Sequence, residues 1–97
     1  MVQSSIVNDV CTQADKEGSG YNHWYCGIAS DPKKRLFSDH NVAEKNSWWI
    51  YRNAEIEQNA RDTEDRLLQL GFTGGEGGGD SSSTYVYAYK ITNLTIE

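Results

Sequence analysis

The first hydrophobic positions of the chain recur at the spacing of a helix. Apolar side chains occupy one helical face here, at Ile6, Val7, Val10, Cys11 and Ala14. This pattern predicts a helix over residues 3–16, with Ser4 or Ser5 as its N-cap. The Gly18-Ser19-Gly20 sequence is typical of a helix end.

Three later segments favour β-structure. They are YNHWYCGI (21–28, with the strand ending at Gly27), WWIYRNA (48–54) and TYVYAYKIT (84–92). In the last segment the tyrosines at 85, 87 and 89 should share one face, because side chains alternate along a strand. Trp48 and Trp49 should face opposite ways for the same reason, with one of them in the core.

Two further helices are predicted between these strands. Asp31-Pro32 is a typical helix start, with Asp as N-cap and Pro in the first turn, and the helix should run to about His40. The strongest helical pattern is residues 55–71, with one face formed by Ala60, Glu64, Leu67 and Leu68. The order α-β-α-β-α-β predicts one α+β domain over residues 1–97. Its sheet should have three strands, or slightly more, packed by about three helices.

Charge and composition narrow the function. The 97-residue chain has a net charge of −5, which argues against a protein that coats duplex DNA non-specifically. The sequence has no basic leader and no long apolar run, so we expect a cytoplasmic protein without a membrane partner. Cys11 and Cys26 are then expected to be reduced thiols.

Three short motifs occur in a characteristic order. Tyr25-Cys26-Gly27 ends the first strand, DPKKRL places Arg35 in the following helix, and ARDTE places Glu64 four residues after Ala60. In this order the chain resembles the GIY-YIG nuclease family over roughly residues 23–68. The resemblance implies a GIY-YIG-like fold and hydrolysis of phosphodiesters.

The resemblance also implies catalytic roles. Tyr25 would orient water, Arg35 would neutralise charge on phosphate oxygens, and Glu64 would bind Mg²⁺. His40 would carry a proton; it is the fifth residue after Arg35, one step from the histidine of some family members. The family has another strand, carrying Gly-Ile-Tyr, about ten residues before Tyr25, whereas residues 13–20 here read QADKEGSG.

Each candidate has a structural alternative. Arg35 could form an ion pair with Asp31 or Asp39, and Glu64 could pair with an arginine such as Arg35. His40 could simply interact with a helix C-terminus. A zinc site formed by Cys11, His23, Cys26 and His40 is disfavoured, because the sequence has no closely spaced pair of ligands.

Other residues are candidates for ligand binding. Lys34 lies beside Arg35, with plain surface charge as its alternative. Trp49 and Tyr51 could stack a base or nucleotide, or contact a second copy of the chain. The Gly-rich residues Gly77, Gly78, Gly79 and Asp80 could cradle a phosphate, with a flexible connector as the alternative.

Two main hypotheses of function follow. The first is a domain that engages phosphodiesters or nucleotides, in its sharpest form a Mg²⁺-dependent nuclease. The second is a non-catalytic anti-defence protein of a phage or other mobile element. Such a protein would sequester a nucleotide, or bind a host protein through its acidic and aromatic surface. A third hypothesis is an interaction module that pairs with itself as a homodimer.

Overall fold

A computed structural model describes residues 1–18, 20–45, 48–74 and 82–96. Its helices and strands, in chain order, are α1 (Ser4–Glu17), β1 (Trp24–Ala29), β2 (Trp49–Asn53), α2 (Glu57–Gln69) and β3 (Tyr85–Lys90). A 3₁₀ turn (Tyr21–His23) precedes β1, and a π-helical segment (Lys34–Asp39) follows it. The predicted α+β class and the three-stranded sheet are confirmed, and the sheet is antiparallel throughout.

The C-terminal strand is the centre of the sheet. The strand order is β1-β3-β2, so β3 pairs with β1 on one side and with β2 on the other. In the register, Tyr87 lies between Gly27 of β1 and Tyr51 of β2. Tyr89 likewise lies between Tyr25 and Trp49. Strands distant in sequence thus bring aromatic side chains into adjacent rows.

One face of the sheet packs against both long helices. Buried side chains from the strands, Trp24, Cys26, Ile28, Ile50, Val86 and Ala88, form a core with apolar residues of α1 and α2. The helical residues Val10, Ala60 and Leu67 are fully buried in this core. Removal of this apolar area from water is the main force that holds the helices to the sheet.

The other face of the sheet is aromatic. We call it the aromatic face, and it consists of Tyr25, Trp49, Tyr51, Tyr85, Tyr87 and Tyr89. The segment after β1 covers part of it, because Leu36 and Val42 pack with Tyr87 and Tyr89 in a second buried cluster. The predicted alignment of the β3 tyrosines on one face is therefore confirmed.

Several predicted element ends were wrong. Gln3 is the N-cap of α1 and no side chain caps it, so neither Ser4 nor Ser5 has that role. Gly18 ends α1 as predicted, in the left-handed conformation with φ 72°. The first strand begins at Trp24 because residues 21–23 form the 3₁₀ turn, and it continues past Gly27 to Ala29.

The segment after β1 is not the predicted α-helix. Asp31 does cap its start, since Asp31 Oδ1 accepts a hydrogen bond from the Lys34 N–H at 3.2 Å. The turn then widens to π geometry over Lys34–Asp39. Such turns are rare and often lie at functional sites.

The adjacent tryptophans also differ from expectation. Trp48 and Trp49 are both half-buried, so neither is a fully buried core residue. Trp49 lies on the aromatic face, whereas Trp48 precedes β2 and holds the Lys90 ammonium 4.6 Å from its ring centre. Among the described residues, no helix is both long and apolar enough to cross a membrane.

Candidate functional site

The Tyr87 phenol lies across the backbone of β1 at Gly27. A Cβ atom added at Gly27 would be 2.6 Å from the Tyr87 hydroxyl oxygen and 2.7 Å from its ring Cζ. Glycine is therefore required for this close approach rather than for an unusual backbone angle. Because β1 is an edge strand, the phenol is directed from the central strand toward the rim of the sheet.

His40 holds this phenol from above the aromatic face. Its Nε2 lies 2.9 Å from the Tyr87 hydroxyl oxygen, and its Nδ1 lies 2.6 Å from the Ile96 carbonyl oxygen. A carbonyl can only accept, so Nδ1 carries a proton, and in the neutral form of the ring Nε2 accepts from the phenol. The Ile96 N–H donates in return to the His40 carbonyl at 2.8 Å, which fixes the C-terminal segment to the histidine.

Arg35 approaches the same phenol from the π-helical segment. Its hydrogen bond with Tyr87 is the largest cause that raises the pKa of the Arg35 guanidinium. The guanidinium also forms an ion pair with Asp39, with Nη1 to Oδ2 at 3.1 Å. The predicted alternative of an Asp39 pair is thus present, but it coexists with the contact to Tyr87.

The π turn explains how Arg35 and His40 meet. The His40 N–H donates to the Arg35 carbonyl at 2.9 Å, a hydrogen bond that spans five residues instead of four. In an α-helix the residue stacked on Arg35 would be the fourth after it, Asp39. The wider turn therefore bonds the backbone of His40, the fifth residue, to that of Arg35, while the Arg35 side chain still pairs with Asp39.

Glu64 brings a buried carboxylate to this region from α2. The residue is only 5% exposed. Burial is the main cause that raises its pKa to about 7, with the Asp65 charge adding to it and Arg61 opposing it. Within the described part of the chain, no ion pair or hydrogen bond reaches this carboxylate, so the proposed pairing with Arg35 is not present.

The Tyr87 phenol and the Glu64 carboxylate are linked electrostatically. The pKa of Tyr87 is raised to about 12, first by burial and then by the charges of Tyr25 and Glu64, while Arg35 opposes the shift. The phenol is therefore neutral at pH 7, and it acts as a hydrogen-bond donor rather than as a phenolate base. Glu64 likewise raises the pKa of Cys26 beyond its ordinary range, behind the larger effect of burial.

Tyr25 completes the cluster on the aromatic face. Its ring centre lies 5.0 Å from that of His40 and 5.2 Å from that of Tyr89. The Tyr89 hydroxyl in turn lies 3.0 Å from His40 Nδ1. Of the four residues predicted as catalytic, His40 bonds the Tyr87 phenol directly, whereas Tyr25, Arg35 and Glu64 act on it electrostatically.

Tyr87 is the residue of this cluster that sequence reasoning missed. The alternation of TYVYAYKIT placed it correctly on a face with Tyr85 and Tyr89, but gave no reason to single it out. A usable signal was the glycine in Tyr25-Cys26-Gly27. A strand glycine often marks a site where another group approaches closely, and here that group is the Tyr87 phenol.

The other predicted binding residues lie at different distances from this cluster. Trp49 and Tyr51 are on the aromatic face, with parallel rings 5.9 Å apart. Lys34 is an exposed residue of the π-helical segment. Gly77, Gly78, Gly79 and Asp80 lie outside the described residues. Cys11 and Cys26 are free thiols, and no three His, Cys, Asp or Glu side chains of the described ranges group together as metal ligands.

The raised pKa of Glu64 predicts a pH dependence of stability. A buried carboxyl with pKa about 7, against an ordinary 4.5, binds more protons in the folded than in the unfolded chain between these values. Its contribution therefore destabilises the fold progressively as pH rises from about 4.5 to about 7. Relative to Glu64→Gln, we expect the wild type to lose roughly 1–2 kcal/mol across this window, after allowance for solvent screening.

Urea unfolding at several pH values measures this difference. Glu44→Gln is the matched control, because Glu44 is exposed and lies on a different segment. The control should follow the wild-type curve at every pH. An equal slope for wild type and Glu64→Gln between pH 4.5 and 7 would contradict the assignment of Glu64 as a desolvated carboxyl.

Comparison of the chain with protein-family models, with curated proteins and with solved structures gave no match.

Proposed function

We propose that the chain is a GIY-YIG-like phosphodiesterase that depends on Mg²⁺ and acts on nucleic acid or nucleotide substrates. The observation that carries this proposal is the convergence on Tyr87. An imidazole bonds to its phenol, and a guanidinium and a buried carboxylate act on it electrostatically. Together with the phenol, these groups come from three segments, the π-helical segment with its C-cap, α2 and β3, and each has a distinct use in phosphodiester hydrolysis.

In this proposal β3 takes the place of the family's Gly-Ile-Tyr strand, which the sequence before Tyr25 does not contain. The family's Gly-Ile-Tyr strand precedes Tyr25 in sequence, whereas here an antiparallel tyrosine strand follows α2 and pairs with β1. Tyr87 lies opposite Gly27 and supplies the second phenol of the site. The chain would then have the family's parts in a permuted order, with the first strand moved to the C-terminal end.

Each residue of the site has a separate role in the proposed reaction. Arg35 binds the phosphate and neutralises charge that grows on its oxygens. The neutral His40 ring, held by Ile96, takes a proton relayed from water through Tyr87, because its Nε2 is the acceptor of that bond. Tyr25 packs against His40 and holds the ring in this orientation.

Glu64 is suited to hold the metal ion. A desolvated carboxylate without an ion-pair partner among the described residues gains most from a cation, which would also lower its pKa. Mg²⁺ commonly binds through one or two carboxylates together with substrate phosphates and water, so a large protein ligand set is not required. When bound, the ion supplies stabilisation of the leaving oxygen.

The test uses the purified chain and end-labelled substrates. Single-stranded and duplex DNA, RNA and cyclic dinucleotides are incubated with Mg²⁺, with Ca²⁺ and with EDTA. We expect cleavage with Mg²⁺, and none with EDTA. Absence of cleavage from every substrate would contradict the enzyme. Recovery of an intact nucleotide from the denatured protein would instead support the sequestering hypothesis.

A further inference from the structure

The aromatic face continues beyond the cluster toward the β2 edge. Trp49 and Tyr51 lie nearly parallel, with an interplanar angle of 10°, and Tyr85 meets Tyr51 edge-on at 6.1 Å. All three are half-buried, so part of each ring remains accessible. Phe37 packs against Trp49 at 5.0 Å, which leaves Tyr51 and Tyr85 as the rings farther from that contact.

These two tyrosines line a groove. The groove is lined by Tyr51 and Tyr85 from the sheet and by residues 30–33, which include Lys33. The volume of about 330 Å³ is at the lower end of the range for small-molecule sites and suits one nucleotide unit. The carboxylate of Asp31, which also lines the groove, already accepts the Lys34 N–H.

The groove is next to the proposed phosphate site. Tyr51 is the cross-strand neighbour of Tyr87, and Arg35 acts electrostatically on Tyr87. Residues 30–33 of the groove directly precede the π-helical segment that carries Arg35, so a base over Tyr51 and a phosphate at Arg35 would be bound on the same face of the sheet. Lys33 adds positive charge at this end of an otherwise acidic chain, where a polyanion would approach.

We propose that Tyr51 and Tyr85 form a base-stacking subsite that makes the chain select single-stranded nucleic acid over duplex. The binding of the adjacent phosphate at Arg35 rests on the proposed function. Aromatic rings stack only on bases whose faces are free, and duplex bases are stacked on each other. The net charge of −5 also disfavours a duplex held by backbone charge alone.

Fluorescence anisotropy tests this subsite with two labelled probes in Ca²⁺ buffer, a mixed-sequence single-stranded DNA 12-mer and a hairpin duplex. The wild type should bind the single strand more tightly. Tyr51→Leu and Tyr85→Leu should each weaken single-strand binding roughly 5- to 100-fold, with less than about a twofold change for the duplex. Tyr51→Phe keeps the ring and should bind like the wild type.

Two controls separate stacking from charge and from folding. Tyr21→Leu removes a half-buried tyrosine that stacks on Phe72, away from the groove, and should leave binding unchanged. The logarithm of the binding constant falls linearly with the logarithm of salt concentration, and each phosphate contact adds to that slope. Arg35→Ala should lower the slope by the amount of about one contact, whereas the tyrosine variants should keep the wild-type slope. Circular dichroism establishes that each variant folds.

The outcomes distinguish this inference from the proposed function. Wild-type affinity in both leucine variants, equal losses on both probes, or a wild-type preference for duplex would overturn the stacking subsite. If the wild type binds duplex more tightly and also cleaves duplex DNA, the stacking subsite is overturned but the proposed function is supported. A wild type that binds neither probe and cleaves no substrate would overturn both proposals together.

Discussion

Replacement of Arg35 by alanine is expected to lower Mg²⁺-dependent cleavage by about 10²- to 10³-fold, the usual cost of removing one group that stabilises transition-state charge. Arg35 acts electrostatically on the Tyr87 phenol while its guanidinium remains partly exposed, so it can bond a phosphate without leaving its position. Initial rates of cleavage at saturating and at limiting substrate give kcat and kcat/KM separately. Both should fall, because the bond to the phosphate strengthens as charge grows.

The neighbouring ion pair does not account for such a loss. Arg35 and Asp39 are both well exposed, with side-chain exposures of 44% and 38%, and pairs of this kind contribute little stability. Arg35→Ala should therefore unfold at nearly the wild-type urea concentration. Arg52→Ala is the matched control, since Arg52 is equally exposed and pairs with Asp9 on α1. Equal cleavage rates of Arg35→Ala and Arg52→Ala would show that Arg35 has no role in the reaction.

Arg35→Lys separates charge from geometry. Lysine keeps the positive charge but lacks the planar fork that contacts a phenol and a phosphate at once. We expect it to recover only part of the lost rate. Full recovery would show that a point charge is sufficient and that the contact between Arg35 and Tyr87 is incidental.

Local signals in the sequence predicted most of the helices and strands. The left-handed glycine at the end of α1, the Asp31 cap and the alternation of β3 depend on residues a few positions apart, so short windows contain the necessary information. The start of β1 was placed too early because Tyr21, which favours strands by propensity, packs on Phe72 from a 3₁₀ turn. Tertiary packing overrode local preference at that point.

The arrangement of the site depends on two features that short windows do not contain. The first is the position of β3 in the sheet. Nothing near residue 87 indicates that its strand inserts beside β1 and directs a phenol over Gly27. The second is the π turn. A helical pattern is interpreted with 3.6 residues per turn, so the segment after β1 was predicted as an α-helix, and nothing in it indicated the bond from the His40 N–H to the Arg35 carbonyl five residues earlier.

The C-terminal segment has a role in the site that follows from the same long-range pairing. Ile96 receives the His40 Nδ1–H and donates its own N–H to the His40 carbonyl. Asn41 adds a hydrogen bond from its side chain to the Leu94 carbonyl at 2.9 Å. The strand that brings Tyr87 to Gly27 therefore also delivers the backbone carbonyl that sets the histidine tautomer.

Substitution of Gly27 by alanine is expected to lower cleavage by about 10²-fold and to destabilise the fold by about 1–3 kcal/mol. The new Cβ would overlap the Tyr87 hydroxyl, and Tyr87 is almost fully buried and bonded to His40, so the phenol has no free space in which to retreat. Displacement of the phenol by about 1 Å would break its alignment with Arg35 and His40.

A double-mutant cycle isolates this cause. Tyr87→Leu removes the phenol that meets the new methyl group, and by itself it should lose about as much activity as Gly27→Ala. In the Tyr87→Leu background, Gly27→Ala should cost less than about twofold in activity and little further stability, because the overlapping atoms are gone. Urea unfolding and initial rates on all four proteins measure both quantities. Wild-type activity in Gly27→Ala, or the same loss of stability in both backgrounds, would show that the close approach of Tyr87 to Gly27 does not hold the site together.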